Sequence, residues 1–272
     1  MKLSYPVPVP DASEKLMAWC GPYEDAYPYL RGAGYQGIEL LVKNPDTVDK
    51  ERLNFLLQSN QLELSCVGTG PMQRDDRLYL MGADKEMRKE AVRRLYGLIE
   101  LASLYQVPVL IGKYRGMAGT QPGCRLEDFE RIMREADETA GSSGIELFLE
   151  PQGKDGINNL NTVEECVSWI ERNGYRNVKL LMDIFHMEQT EDSITGTLER
   201  YRDYIGMIHM SDSRRLVPGY GKIPVKQVLE VLEDTAYGGY ISMEIRQYPD
   251  SATTASLSAM SINYIETLRK MK

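Results

Sequence analysis

VKLLMDIFHMEQTEDSITGTLERYRDYIGMIHM, residues 178–210, holds one full round of the pattern on which the fold rests. Its two ends, VKLLMD (Val178–Asp183) and YIGMIHM (Tyr204–Met210), are short and almost wholly apolar, and the stretch between them is mixed and polar. A short apolar run bounded by polar residues fits a strand covered on both faces, the setting of a parallel sheet. Two neighbouring strands share a direction only if the chain crosses back between them, and the usual crossover is a helix. Asp183 and His209 stand at the ends of these two runs.

The same rhythm extends in both directions. Upstream lie a weak candidate strand near Leu3–Val9 and clearer ones at Gln36–Leu41, Leu62–Val67, Val107–Gly112 and Ile145–Glu150; downstream lies Tyr240–Ile245. Amphipathic stretches separate them. The strongest is Ala83–Tyr105, where Met87, Ala91, Leu95, Leu98 and Ala102 recur at three- and four-residue spacing and predict a helix with one buried face. Eight strand–helix units in 272 residues predict an α/β chain closed into a single (β/α)8 TIM barrel, one domain over residues 1–272. An open doubly wound sheet is the competing arrangement. It usually has fewer strands, and the first strand–helix turn here lacks the Gly-x-Gly-x-x-Gly fingerprint.

Composition narrows the function. Apolar residues make up 42% of the chain and charged residues 26%, enough to exclude disorder. Forty acidic against 32 basic side chains give a formal charge of −8, which argues against a nucleic-acid partner. No apolar run approaches the ~20 residues of a membrane span, so no membrane partner is expected. The start, MKLSYPVPVPD, lacks the apolar core of a secretory signal, and cytoplasmic residence is the default expectation. Cys20, Cys66, Cys124 and Cys166 form no Cys-x-x-Cys pair, which speaks against a disulfide framework or a zinc ribbon.

Active sites of such barrels lie at the C-terminal ends of the strands. Strands five to eight end in Glu150, Asp183, His209 and Glu244, at intervals of 33, 26 and 35 residues, each about one strand–helix unit. Any one of these acids is by itself an ordinary strand end meeting solvent. Four metal-competent side chains in successive apolar runs are not, because a charge there is costly unless paired or ligating. Three carboxylates and one imidazole suit Mn²⁺, Mg²⁺ or Co²⁺ with positions open to substrate oxygens better than a closed thiolate zinc site. The chain's two histidines, His186 and His209, both fall in this region.

DIFHMEQTEDSI (Asp183–Ile194), HMSDSRRLVPGYGKIP (His209–Pro224) and YISMEI (Tyr240–Ile245) together resemble the xylose-isomerase-like superfamily of sugar isomerases and epimerases. Within it the chain is most similar to ketose 3-epimerases of the tagatose/psicose type and to hydroxypyruvate isomerases. The likeness is strongest from Gly144 to Ile245 and continues in GYQGIELL (Gly34–Leu41) and VPVLIGKYRG (Val107–Gly116). It implies one divalent cation held by residues matching Glu150, Asp183, His209 and Glu244, with manganese expected and magnesium, cobalt or zinc as alternatives. It further implies that His186 and Arg215 contact substrate oxygens and that Glu39 reaches towards the pocket. A homo-oligomer, dimer or tetramer, is also implied. One departure stands out. Many epimerases carry a second glutamate six positions after the metal-binding one, gripping the far part of the substrate, whereas Gly156 stands here, beside Asp155.

The residues support the same chemistry independently. Removing a proton beside a carbonyl becomes easier when a metal neutralises the developing enediolate. Inverting that carbon needs a proton taken from one face and returned to the other, work that two carboxylates can share. The expectation is therefore a metal-dependent sugar isomerase or epimerase acting on a small ketose or hydroxy-keto acid, with Glu150 and Glu244 as acid and base. A metal-dependent dehydratase of the same superfamily and a non-catalytic sugar-binding barrel are the alternatives. A three-metal DNA-repair endonuclease fits badly, having many more histidines. Weaker signals are Gly219 and Gly221 with Lys222 as a phosphate cradle or a plain loop, Arg214 as a solvated neighbour of Arg215, and Trp19 and Phe185 as pocket walls or core.

Overall fold

The computed structural model describes residues 1–13 and 17–271. In chain order the elements are β1 (Lys2–Pro8), α1 (Tyr23–Ala33), β2 (Gly37–Leu41), α2 (Lys50–Asn60), β3 (Glu63–Gly68), α3 (Gly70–Asp76), α4 (Lys85–Tyr105), β4 (Val109–Ile111) and α5 (Leu126–Ser142). The second half continues with β5 (Leu147–Leu149), α6 (Val163–Asn173), β6 (Val178–Asp183), α7 (Ile184–Thr190), α8 (Ile194–Arg200), β7 (Ile205–Met210), α9 (Val225–Asp234), β8 (Tyr240–Met243) and α10 (Ser251–Lys270). All eight strands pair in parallel and in sequence order, and β8 returns to pair with β1 through Lys2↔Tyr240, closing the barrel. The expected α/β barrel is the observed one. Among the described residues no helix is long and apolar enough to cross a membrane.

The first strand reads weakly in sequence because of its prolines, and the ladder shows why they are tolerated. Lys2 N–H bonds Gly239 on the β8 side, and Val9 N–H bonds Leu41 on the β2 side. Alternation along the strand therefore points positions 6 and 8 towards β8, whose register with β1 stops at Ser4. Pro6 and Pro8 thus remove no ladder donor. The fifth and eighth strands are shorter than expected, so Glu150 and Glu244 each stand one residue past a strand. The ladder still holds the first of them, since Glu150 N–H bonds Ile111 at 3.1 Å.

α4 is capped by Asp84, whose carboxylate accepts from the Glu86 and Met87 N–H groups. Ala91, Leu95, Leu98 and Ala102 are buried as the periodicity requires, but Met87 is exposed: it lies in the first turn, before the helix reaches the sheet. Strands and helices enclose the main apolar layer. A separate cluster of Cys66, Leu110, Phe148, Leu181 and Met207, with Tyr240 against it, fills the barrel itself. Side chains alternate along a strand, so the residue two positions after an interior one faces the interior again. Phe148 is followed in this way by Glu150, Leu181 by Asp183 and Met207 by His209. The lower barrel is packed with apolar groups, and the same strand faces deliver polar groups to the upper rim.

Packing in the lower barrel leaves no slack at Gly206, where an added Cβ would overlap the Phe148 ring. Gly206→Ala is expected to lower stability by about 1–3 kcal/mol through overpacking. Gly32→Ala, in α1 with nothing within 4 Å of the added carbon, is expected to raise it by about 0.4–1 kcal/mol. Urea unfolding of the two variants checks both signs.

Candidate active site

Glu150, Asp183, His209 and Glu244 converge at the C-terminal rim, each offering one ligand atom, and these atoms all lie within 4.8 Å of one another. Each is aimed by its local backbone. Asp183 ends β6 and caps α7, its Oδ1 accepting the Phe185 N–H at 2.9 Å, which leaves Oδ2 to face Arg215 Nη1 at 2.7 Å. His209 is fixed by Glu39, whose Oε2 lies 2.9 Å from Nε2 and also accepts the Ser242 hydroxyl at 2.6 Å. With Nε2 held on that side, Nδ1 is turned inward, 3.5 Å from Glu244 Oε2. Glu150 accepts a hydrogen bond from the Gln152 amide. Gly112 makes room for it, because a Cβ there would sit 2.5 Å from Glu150 Oε2.

Arg115 secures the backbone beneath. Fully buried, it donates to the carbonyls of Gly112 (3.1 Å), Glu150 (2.9 Å), Asn159 (3.0 Å) and Leu160 (3.1 Å) and to Asn159 Oδ1 (3.1 Å). These bonds tie the ends of β4 and β5 to the loop that follows Glu150.

Arg215 lies in the turn after β7 with its guanidinium stacked 4.3 Å over the Phe185 ring. Its Nη1 stands 2.7 Å from both Asp183 Oδ2 and Glu244 Oε2, and its Nη2 is 3.1 Å from His186 Nε2. The turn carries two non-glycine residues at positive φ, Arg214 (60°) and Arg215 (61°), a conformation that persists only when its surroundings hold it. Buried Asp212 is that hold: it accepts the N–H groups of Ser213 (2.7 Å), Gly219 (2.8 Å) and Ile223 (3.0 Å). The Gly219–Gly221 segment is therefore spent on Asp212 rather than shaped as a phosphate cradle, and a Cβ at Gly221 would overlap the Asp212 carboxylate.

The electrostatics separate the two glutamates. Burial, reinforced by the charges of Glu244 and Asp183, pushes the Glu150 carboxyl up to about 8. Burial works against the Glu244 charge as well, but Arg215 and His209 outweigh it and hold that carboxyl well below the usual range. Burial opposes a charge on His209, yet Glu39 and Glu244 raise it well above an ordinary imidazole. For His186 burial prevails, and its pKa is lowered.

These residues suit a divalent cation. Asp183 Oδ2, His209 Nδ1 and Glu244 Oε2 are buried atoms of the converging set whose close contacts among the described residues are ionic, with Arg215 or with one another, rather than well-aligned hydrogen bonds. Three carboxylates with one imidazole form an oxygen-rich donor set appropriate to manganese, magnesium or cobalt. Glu150, His209 and Glu244 floor a cavity of about 630 Å³ that Glu39, His186, Phe185 and Arg215 also line, with Asp183 buried beneath it. Trp19 is not in that lining: it is buried, with Nε1 donating to Pro22 and its ring against Tyr29. Arg214 is exposed at the cavity mouth. Sequence reasoning missed Gln152, Gly112, Arg115, Ser242 and Asp212, which lack a periodic signal and matter only through neighbours distant in the chain.

A family model described as the xylose isomerase-like TIM barrel matches residues 28–265. D-psicose 3-epimerase of Ruminiclostridium cellulolyticum is 32% identical over 186 residues, 65% of this chain and 62% of that enzyme, so the match spans less than two thirds of its length. Hydroxypyruvate isomerase of Escherichia coli K12 is 27% identical over 235 residues, 84% of this chain and 88% of that one. The solved structure of an L-ribulose 3-epimerase superimposes with a TM-score of 0.81 at 23% identity, covering 99% of this chain and 96% of its own, a likeness of fold.

Two measurements probe the cluster. Groups that orient a metal-binding histidine typically contribute 10- to 100-fold in metal affinity, so Glu39→Gln should weaken Mn²⁺ binding by that factor in calorimetric titration. A Glu39 that served only substrate would leave the affinity unchanged. Ligands must shed their protons to bind a cation. With Glu150 protonated below about 8 and the pKa of His209 raised well above that of an ordinary imidazole, Mn²⁺ affinity of the metal-free protein should rise as pH goes from 6 to 8, with proton release measurable in buffers of different ionisation enthalpy.

Proposed function

This chain belongs to the xylose isomerase-like TIM-barrel family, and on that premise we propose that it is a divalent-metal-dependent isomerase or epimerase of a small ketose or hydroxy-keto acid. The observation that carries the reading is the convergence of Glu150, Asp183, His209 and Glu244 at the mouth of a closed barrel. The relatives support it through their names, an epimerase acting at position 3 of a ketose and an isomerase of a hydroxy-keto acid. Both names describe a change at a carbon beside a carbonyl.

A divalent cation on the four residues supplies positive charge where a carbonyl oxygen becomes negative as the neighbouring proton leaves. The protein's own groups do the rest. Glu150 and Glu244 reach the cavity from β5 and β8, one to take the proton and the other to return it from the opposite side. Their carboxyls are held in different environments, the condition for two like groups to serve as acid and base. Arg215 donates to substrate oxygens, with His186 beside it accepting from Arg215 Nη2 through Nε2, and the stacking of Arg215 on Phe185 keeps its fork in place. Glu39 orients His209 from behind through Oε2. Manganese is the ion the reading assigns to the site.

A proton carried by two different carboxylates exchanges with solvent between removal and return. Turnover of a ketose in heavy water should place deuterium on the carbon that changes, read by mass spectrometry and NMR of the product. Product free of deuterium after many turnovers would show direct hydrogen transfer and overturn the roles given to Glu150 and Glu244.

A further inference from the structure

Four cations line the mouth of the active-site cavity: Arg74 on α3, Lys113 in the turn after β4, Arg214 in the turn after β7 and Arg246 just past β8. All four are exposed, and among the described residues none has its side chain in an ion pair or hydrogen bond. This is not the habit of the chain. Arg52, Arg93, Arg94 and Arg131 are each paired with carboxylates, and the sequence carries a net charge of −8. Among the described residues, Asp155 is the acid lining the cavity away from the floor, where Glu39, Glu150 and Glu244 lie beside Arg215. The pocket therefore has an acidic floor suited to a cation and a basic mouth facing outward.

Lys113 is the best placed of the four. A Cβ at Gly156 would sit 2.6 Å from Lys113 Cε and 2.8 Å from Nζ. The missing side chain at position 156 is thus the space into which the ammonium group of Lys113 reaches. Any larger residue there would have to displace it.

We propose that the substrate carries an anionic group, a carboxylate or a phosphate ester, at the end remote from the metal-binding cluster, received by Lys113 with Arg74, Arg214 and Arg246 around it. The proposal rests on the isomerase reading of the same pocket and narrows its substrate class. Cations without partners around a cleft draw in an anion and raise its local concentration. A charge-assisted hydrogen bond from Lys113 then favours the anionic substrate over its neutral analogue by about ten- to a hundredfold.

The test uses the full chain loaded with Mn²⁺ and three hexuloses that differ at carbon 6: D-fructose (hydroxymethyl), D-fructuronate (carboxylate) and D-fructose 6-phosphate. Calorimetric affinities should favour at least one anion over fructose by tenfold or more. The preferred anion tells carboxylate from phosphate recognition, and added salt should shrink the preference. In Lys113→Gln the ratio of anion to fructose affinity should collapse towards unity, and Arg74→Gln should reduce it in part. Equal affinities for the three sugars, no binding of either anion, or an unchanged ratio in Lys113→Gln would overturn the proposal. The ratio is read without turnover, so failure of the isomerase reading shows separately, as the absence of any product from all three sugars.

Discussion

Four carboxylates crowded into one pocket need positive charge among them, and the upper half of this barrel is organised around that need. Glu39, Glu150 and Asp183 are buried and Glu244 is half-buried, all gathered about His209. Arg215 answers part of the charge from 2.7 Å, and its position depends on a backbone turn at positive φ that Asp212 holds with three N–H bonds. Like charges this close cannot all remain ionised at ordinary values. One glutamate is forced up and the other held down, which leaves a cluster with the donor atoms for a cation and a differentiated pair of carboxyls.

Closure of the barrel makes that concentration possible. A closed sheet has one interior, and every second residue of every strand faces it. Phe148, Leu181 and Met207 fill the lower part, and two positions later the same strands present Glu150, Asp183 and His209. Stability and chemistry thus occupy different heights of one side-chain column. Gly206 and Gly112 mark the two levels: one gives way to the Phe148 ring, the other to the Glu150 carboxylate.

Around the floor the structure adds a layer of opposite sign. The cations at the mouth come from turns after different strands, and no stretch of sequence places them side by side. The pocket thus has acid at its base and base at its rim. The glycine at position 156 and the lysine at 113 are parts of one feature, since the first leaves the room that the second fills.

The sequence by itself determined the barrel and the four converging residues. Strands covered on both faces must be apolar throughout, and a charged or imidazole group closing such a run is conspicuous; hence Glu150, Asp183, His209 and Glu244 were legible without coordinates. β5 stops one residue short of its expected end at Glu150 and β8 two short of Ile245, and β1 reads weakly, because pairing partners decide where a ladder stops and whether a proline costs a bond. Tertiary structure alone decided the rest: that Glu39 stands behind His209, that Arg215 lies between Asp183 and Glu244, that Asp212 commits the glycine loop, that Trp19 is core, and that Lys113 enters the space at Gly156. Periodicity reports which way a side chain points relative to its own strand or helix. Hydrogen-bond partners and charge neighbours are set by the closure of the sheet and the paths of its loops, which bring together residues far apart in the chain.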